Sequence, residues 1–261
     1  MPSAFFLPDQ DPTRFHATRS TEGPWTSEAQ HGGPPAALLT RAVERLPSTI
    51  DGPTQIARLT FEILGPVPVG EVRVAAEVAR PGRAVELVEA SLTANGRPAI
   101  RLRAWRMRTA DLALPDGVAG AGTPPPALPD ESVDVDEDQW GYLRAVQWRF
   151  VAGHFEQVGP ARVWTRLRVP VVEGEEPSGL QRAVAVADSG NGLSGLLDFT
   201  RWWFINTELT VHVYREPAGE WVYLDARSSL DSRGVGLAQT SLCDRRGPFG
   251  TGAQALLIGP R

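Results

Sequence analysis

Hydrophobic and polar positions along the chain follow two periods, and the switch between them occurs twice in the same order. From Pro34 to Leu46 apolar residues recur at helical spacing, with prolines at the start, where a missing N–H is tolerated. A second such stretch runs from Ser178 to Ala187. Ala36-Ala37-Leu38-Leu39 and Ala183-Val184-Ala185-Val186-Ala187 are almost wholly apolar, so both helices call for burial on nearly every side. After each helix the period falls to two. Residues 59–63, 72–78 and 99–103 alternate and are rich in strand-forming residues; residues 209–213, 221–226 and 253–258 match them. Asn95-Gly96 and Arg246-Gly247 mark the last turn of each set.

The two halves correspond in number as well as in pattern. Adding 150 carries Leu59, Thr60, Val72, Ala76, Arg83, Val85, Leu87, Ser91, Leu92 and Pro98 onto identical residues, ten identities in the forty positions 59–98 without a gap. Average composition gives roughly two or three by chance, so the chain reads as a tandem duplication. Each repeat predicts one long helix followed by an antiparallel meander, and a sheet that wraps the helix accounts for its apolar surface. That is a hotdog unit. The expected fold class is α+β, a tandem (double) hotdog fold in which each unit is an antiparallel sheet wrapped around a central helix.

Between the repeats the composition changes. Residues 119–126, Ala-Gly-Ala-Gly-Thr-Pro-Pro-Pro, suit neither a helix nor a central strand, and an acidic run, Asp130 to Asp138, follows. A docking tail is one reading; a solvated crossover between two packed units is the simpler one. The expected organisation is an N-terminal unit at 1–110, a linker at 111–139 and a C-terminal unit at 140–261.

Composition narrows the function classes. Of the 261 residues 42% are hydrophobic and 22% charged, and no apolar run nears the ~18 residues of a membrane span, so no membrane insertion is expected. Met1-Pro2-Ser3-Ala4 lacks the basic start of a secretory signal, which makes a cytoplasmic location the expectation. A net charge of −5 offers no footprint for nucleic acid. The single cysteine, Cys243, excludes an internal disulfide, and the four histidines never fall at a metal-ligand spacing, so neither metal nor cofactor is expected. Every basic residue is an arginine, which removes Schiff-base and phosphate-loop lysine chemistry. Cys243 has no histidine near it in sequence and reads as a buried small hydrophobe.

The stretch His31-Gly32-Gly33-Pro34-Pro35-Ala36-Ala37-Leu38-Leu39 resembles the glycine-rich helix start of acyl-CoA thioesterase II, the TesB-like double-hotdog family. The resemblance continues through Phe61-Glu62-Ile63-Leu64-Gly65-Pro66, Asn95-Gly96-Arg97-Pro98, Ala187-Asp188, the segment 206–213 and Thr251-Gly252-Ala253-Gln254, and covers nearly the whole chain apart from the linker. It implies an acyl-CoA substrate and a catalytic set of an aspartate closing the second helix, a threonine opening the next strand and a glutamine on the last strand. Asp188 matches the aspartate and Gln254 the glutamine; at the threonine position the chain has Asn206, with Thr207 one residue later. On its own an aspartate ahead of Ser189-Gly190-Asn191-Gly192 is a turn residue; the resemblance gives it a catalytic role.

These residue types suit thioester hydrolysis. A carboxylate such as Asp188 orients and partly deprotonates a water, and Gln254 with Asn206 or Thr207 fixes the water's direction. Backbone amides around Gly32-Gly33, or at the second helix, would hold the oxyanion. No covalent nucleophile is needed, and no Gly-x-Ser-x-Gly elbow is present. His31 is expected either to donate to a substrate phosphate or carbonyl, or to cap the first helix. Glu208 and His212 are placed on the strand face of Asn206, and Trp202-Trp203-Phe204 suits an acyl pocket, an interface or plain packing. In the first repeat the polar set is replaced by Pro47, Ala104 and Ile56, so one active centre per chain is expected. The large outer sheet surface predicts a homodimer. Two other readings remain open: a non-catalytic acyl-CoA-binding protein, which the asparagine at the threonine position would suit, and a hotdog dehydratase or hydratase, for which no His/Asp or His/Glu pair stands out.

Overall fold

The structure, a computed structural model, describes residues 3–118 and 122–261; Met1, Pro2 and the linker residues Ala119, Gly120 and Ala121 lie outside the described residues. The strands are β1 (Phe6–Pro8), β2 (Arg14–Ala17), β3 (Thr54–Ile63), β4 (Glu71–Arg80), β5 (Val85–Ala94), β6 (Arg97–Arg108), β7 (Val146–Ala152), β8 (Ala161–Leu167), β9 (Trp202–Asn206), β10 (Glu208–Val213), β11 (Trp221–Asp231), β12 (Val235–Asp244) and β13 (Gly247–Pro260). The helices are α1 (Gly33–Arg45), α2 (Gly141–Ala145), α3 (Gly179–Ala187) and α4 (Gly190–Leu193). The strands form one antiparallel sheet in the order β1-β2-β4-β5-β6-β3-β10-β13-β12-β11-β8-β7, with β9 also on β13.

The order reads the same from either end once each strand is replaced by its repeat partner. Its centre is the β3–β10 pair, where Thr60 faces Thr210 with the hydroxyls 3.3 Å apart. Those two threonines are 150 residues apart, so the shift read from the sequence puts the pseudo-twofold axis through this pair. Two features depart from the expected helix-then-meander unit. Two strands precede each long helix, β1–β2 and β7–β8. In addition, β3 pairs with β6 and not with β4, so only β4-β5-β6 is a meander. The connections explain this: residues 64–70 contain Pro66 and Pro68, and 214–220 contain Pro217, which oppose a tight hairpin after the seam strands.

The buried sheet face receives α1 and α3, which run antiparallel to each other. Arg41 of α1 makes a bidentate bond to Glu175, and Glu44 accepts from Ser178 Oγ and Gln181 Nε2 at the start of α3. At the other end the helices nearly touch. A Cβ on Gly33 would lie 2.0 Å from the Ala185 carbonyl oxygen, so only glycine allows this approach.

The linker is less solvated than its composition predicts. Pro126 O accepts from the Trp164 indole, Pro129 O from Arg149, and Val133 N–H donates to Trp148 O. Leu128 packs on a cluster of Trp164, Trp221, Tyr223 and Cys243. An extended proline-rich chain keeps its carbonyls free for such side-chain donors, which straps residues 126–133 to the second unit. Among the described residues no helix is long and apolar enough to cross a membrane.

Candidate active site

The buried polar residues gather where the N-terminus of α1 meets the C-terminus of α3. Asp188 caps α3 and is 5% exposed. Its Oδ1 accepts from Asn206 Nδ2 at 2.8 Å and from Gln254 Nε2 at 3.2 Å. Gln254 Nε2 also lies 3.1 Å from the Asp188 carbonyl, and its Oε1 accepts from Asn191 N–H at 3.1 Å, so the amide orientation follows from its partners. Glycines make the room. A Cβ on Gly190 would stand 2.4 Å from Thr240 Oγ1, and one on Gly32 would stand 2.7 Å from Asp188 Oδ2.

The second carboxylate oxygen faces the first repeat. Asp188 Oδ2 lies 3.3 Å from His31 Nδ1, which accepts the Gly33 N–H at 3.0 Å. His31 therefore caps α1, one of its two expected roles. Its ring stacks on Tyr142 with centroids 3.8 Å apart, and Tyr142 Oη donates to Ala185 O and meets Ser189 Oγ. Burial lowers the His31 imidazole from its usual range, against the opposing pull of Asp188. Burial likewise pushes the Tyr142 phenol far up, so it stays a neutral donor. Pro34 and Pro35 have no N–H and Gly33 N–H is taken, which leaves Gly32 N–H without an acceptor among the described residues, beside the carboxylate. The positive end of the α1 dipole points at the same place.

Of the residues singled out in the sequence, Asp188, Gln254, Asn206, His31, Gly32 and Gly33 come together. Thr207 does not: it is exposed, and its hydroxyl leans on the Ala255 carbonyl at 3.4 Å. The chain slips one residue here. Asn206 ends β9 opposite Leu256 on the buried face, Thr207 lies between the strands, and β10 restarts with Leu209 buried. The slip reverses the face, so Glu208 and His212 point to the outer surface and not toward Asn206 as the unbroken alternation predicts. Phe204 lines a narrow crevice of about 10 Å³ beyond Asn191, with Leu196, Leu197, Leu230 and Leu256; Trp202 and Trp203 do not line it. A larger depression of about 870 Å³ lies on the outer face under Pro124–Pro126, and Cys243 lines it with its thiol pushed up by burial to about 11. Sequence reasoning does not find Tyr142, because only the fold lays its ring on His31 and its hydroxyl beside Ser189 Oγ; Ser189 and Asn191 read in the sequence only as turn residues.

The equivalent place in the first repeat is filled. Ala104 and Ile56 stand where Gln254 and Asn206 would be, and both are buried. The residue that caps α1, as Asp188 caps α3, is Leu46 and not Pro47. There Arg106 donates to the Val43 and Leu46 carbonyls and pairs with Glu86, which accepts from Ser48 and Thr49; both charged residues are buried.

The fold and cluster define a double-hotdog protein in which, among the described residues, one helix end carries the Asp188 cluster and its counterpart the buried Arg106–Glu86 pair. Residues 21–107 match the acyl-CoA thioesterase N-terminal domain and residues 122–258 the acyl-CoA thioesterase C-terminal domain. The chain belongs to this acyl-CoA thioesterase family, whose TesB-like members are among its structural neighbours. Similar solved structures include the acyl-CoA thioesterase II TesB2 of Mycobacterium marinum, at 16% identity over 97% of this chain and 94% of that one with a TM-score of 0.68. A hot dog fold protein of unknown function from Alicyclobacillus acidocaldarius is 16% identical over 96% and 95% of the two chains, with a TM-score of 0.71. The tesB protein of Mycobacterium avium subs paratuberculosis is 15% identical over 95% and 93%, with a TM-score of 0.65. No curated protein matches the chain in sequence.

Proposed function

We propose that the protein hydrolyses acyl-CoA thioesters to the free acid and CoA, with Asp188 as general base for the attacking water. The observation that carries the reading is the asymmetry of the Asp188 carboxylate. Oδ1 is held by the two amides of Asn206 and Gln254, while Oδ2 faces Gly32 and the α1 N-terminus. A buried carboxylate with one oxygen anchored presents the other in a defined direction, which is what water activation requires. Asn206 and Gln254 then act chiefly by fixing the carboxylate, and Asn206 takes the role expected of either itself or Thr207. The Gly32 N–H is the donor for the oxyanion. We also take the working unit to be a homodimer formed through the outer sheet face, where Val235, Leu237 and Leu257 are exposed at 60%, 40% and 50%.

Release of free thiol, followed with a chromogenic disulfide reagent over short, medium and long acyl-CoAs, tests the activity. Turnover of any of them supports the reading. Binding without thiol release across the whole panel would replace it with the non-catalytic acyl-CoA-binding reading.

A further inference from the structure

The contact between the repeats contains an electrostatic conflict that water activation by Asp188 alone does not use. Gly33 N–H donates to His31 Nδ1, so this nitrogen offers a lone pair and the neutral ring carries its proton on Nε2. The same nitrogen stands 3.3 Å from Asp188 Oδ2. With imidazole neutral and carboxylate ionised, two acceptor atoms stand at near hydrogen-bonding distance with no proton between them. One proton between them turns the repulsion into a bond, and Nδ1, which has a single lone pair, then gives up the Gly33 N–H.

The surroundings supply no competing charge. Tyr142 on α2 covers the ring and is neutral, and its hydroxyl is directed to Ala185 O and Ser189 Oγ. Asn206 on β9 and Gln254 on β13 engage Oδ1 and are uncharged. The Thr21 carbonyl accepts from the backbone N–H of His31, and Gly32 contributes no side chain. Among the described residues, no other ion pair reaches His31 or Asp188.

We infer that Asp188 and His31 share one proton across the Oδ2–Nδ1 contact and work as a single base. The catalytic half of this inference rests on the proposed hydrolysis. When water attacks, its oxygen forms the new bond to the carbonyl carbon and the π pair moves onto the oxyanion. The water's proton goes to Asp188 Oδ2, which holds it against His31 Nδ1, and relief of the lone-pair repulsion assists the transfer. On collapse the C=O bond re-forms, the C–S bond breaks with its electron pair on sulfur, and the shared proton passes from Asp188 to the thiolate. His31 acts through Asp188 and is a positioning residue.

Two measurements test this independently. In NMR titrations of the imidazole Cε1–H signals, the four histidines give few resonances, and His31 is assigned by its loss in His31→Asn. The His31 midpoint should move to lower pH in Asp188→Asn, because the carboxylate that favours imidazolium is gone. An unmoved midpoint overturns proton sharing whether or not any substrate is hydrolysed. The second measurement is the pH profile of kcat/KM. His31→Asn keeps an acceptor for Gly33 N–H but takes no proton, and His31→Phe keeps the stack on Tyr142 without the acceptor. Both should displace the acid limb by about one pH unit or more, with KM little changed. A limb left in place in either folded variant reduces His31 to a helix cap. If the wild type releases no thiol from any acyl-CoA, hydrolysis falls, while the NMR titration still decides the proton sharing.

Discussion

Because Asp188 Oδ1 is held by amides and Oδ2 faces the first repeat, single substitutions separate proton transfer from orientation. Asp188→Asn should lower kcat by roughly 10²–10⁴-fold, the usual range for a general base, with KM changed little. Turnover near wild type in that variant would remove the assignment. Gln254→Ala should cost less, since Asn206 still holds Oδ1. Asn206→Ala and Thr207→Ala form an internal control. The first removes a 2.8 Å bond to the carboxylate, whereas the second removes a hydroxyl 3.4 Å from the Ala255 carbonyl. Steady-state kinetics should show a clear loss of kcat in Asn206→Ala and a much smaller one in Thr207→Ala; the reverse order would assign the orienting role to Thr207.

The helix α1, as an element, is constrained differently at its two ends. Where α1 starts, Gly33 lies against the Ala185 carbonyl, and a methyl group must push the helices apart. Gly33→Ala should destabilise by about 1–3 kcal/mol, the range of overpacking, and lower turnover as well, because Asp188 moves with the end of α3. Thermal denaturation with kinetics on the same samples checks both. Where α1 ends, the first repeat holds the Arg106–Glu86 pair in place of a reactive centre. Burial raises the Glu86 carboxyl, but hydrogen bonds from Thr49 and Ser48 and the Arg106 guanidinium outweigh it and hold the group below its usual range. A lowered carboxylate contributes stability that is present above the unfolded value, near ~4.3, and is lost as pH falls through the folded one. Glu86→Gln should therefore be less stable than wild type in urea at neutral pH, and the gap should close below about pH 4. A gap that does not depend on pH would assign the loss to packing alone.

The molecule as a whole has a buried polar cluster between its repeats and a broad outer sheet surface that, among the described residues, is left open over much of its second half. On β12 and β13, Val235 pairs with Leu257 and Leu237 with Ala255, which sets exposed apolar side chains side by side. Light scattering should give twice the 28.3 kDa chain mass, and Leu257→Arg should shift the particle toward the single-chain value. A wild-type protein at the single-chain mass at every concentration would exclude the dimer. The strap of residues 126–133 bears on the same scale, because it covers the Trp164–Tyr223 part of the outer face and leaves the β12–β13 part open.

How much of this was legible in the sequence depends on the range of the interaction concerned. Periodicity marked both long helices and many of the strands, since burial of one face is written locally in every second, third or fourth residue. The 150-residue shift did more, because a duplication carries its symmetry in the numbering, and Thr60 meets Thr210 at the seam as a result. The resemblance singled out Asp188, Gln254 and either Asn206 or Thr207; the fold brings Gln254 and Asn206 within hydrogen-bonding distance of Asp188 and leaves Thr207 outside. Other decisions were tertiary. The β3–β6 pairing depends on where the chain crosses the sheet, and the strapped linker depends on indole and guanidinium donors far along the sequence. The face of Asn206 depends on a one-residue slip that leaves alternation intact on either side and so has no periodic signature. The contact of His31 with Asp188, 157 residues apart, exists because two antiparallel helices meet at a pair of glycines, and no local pattern in either repeat encodes that juxtaposition.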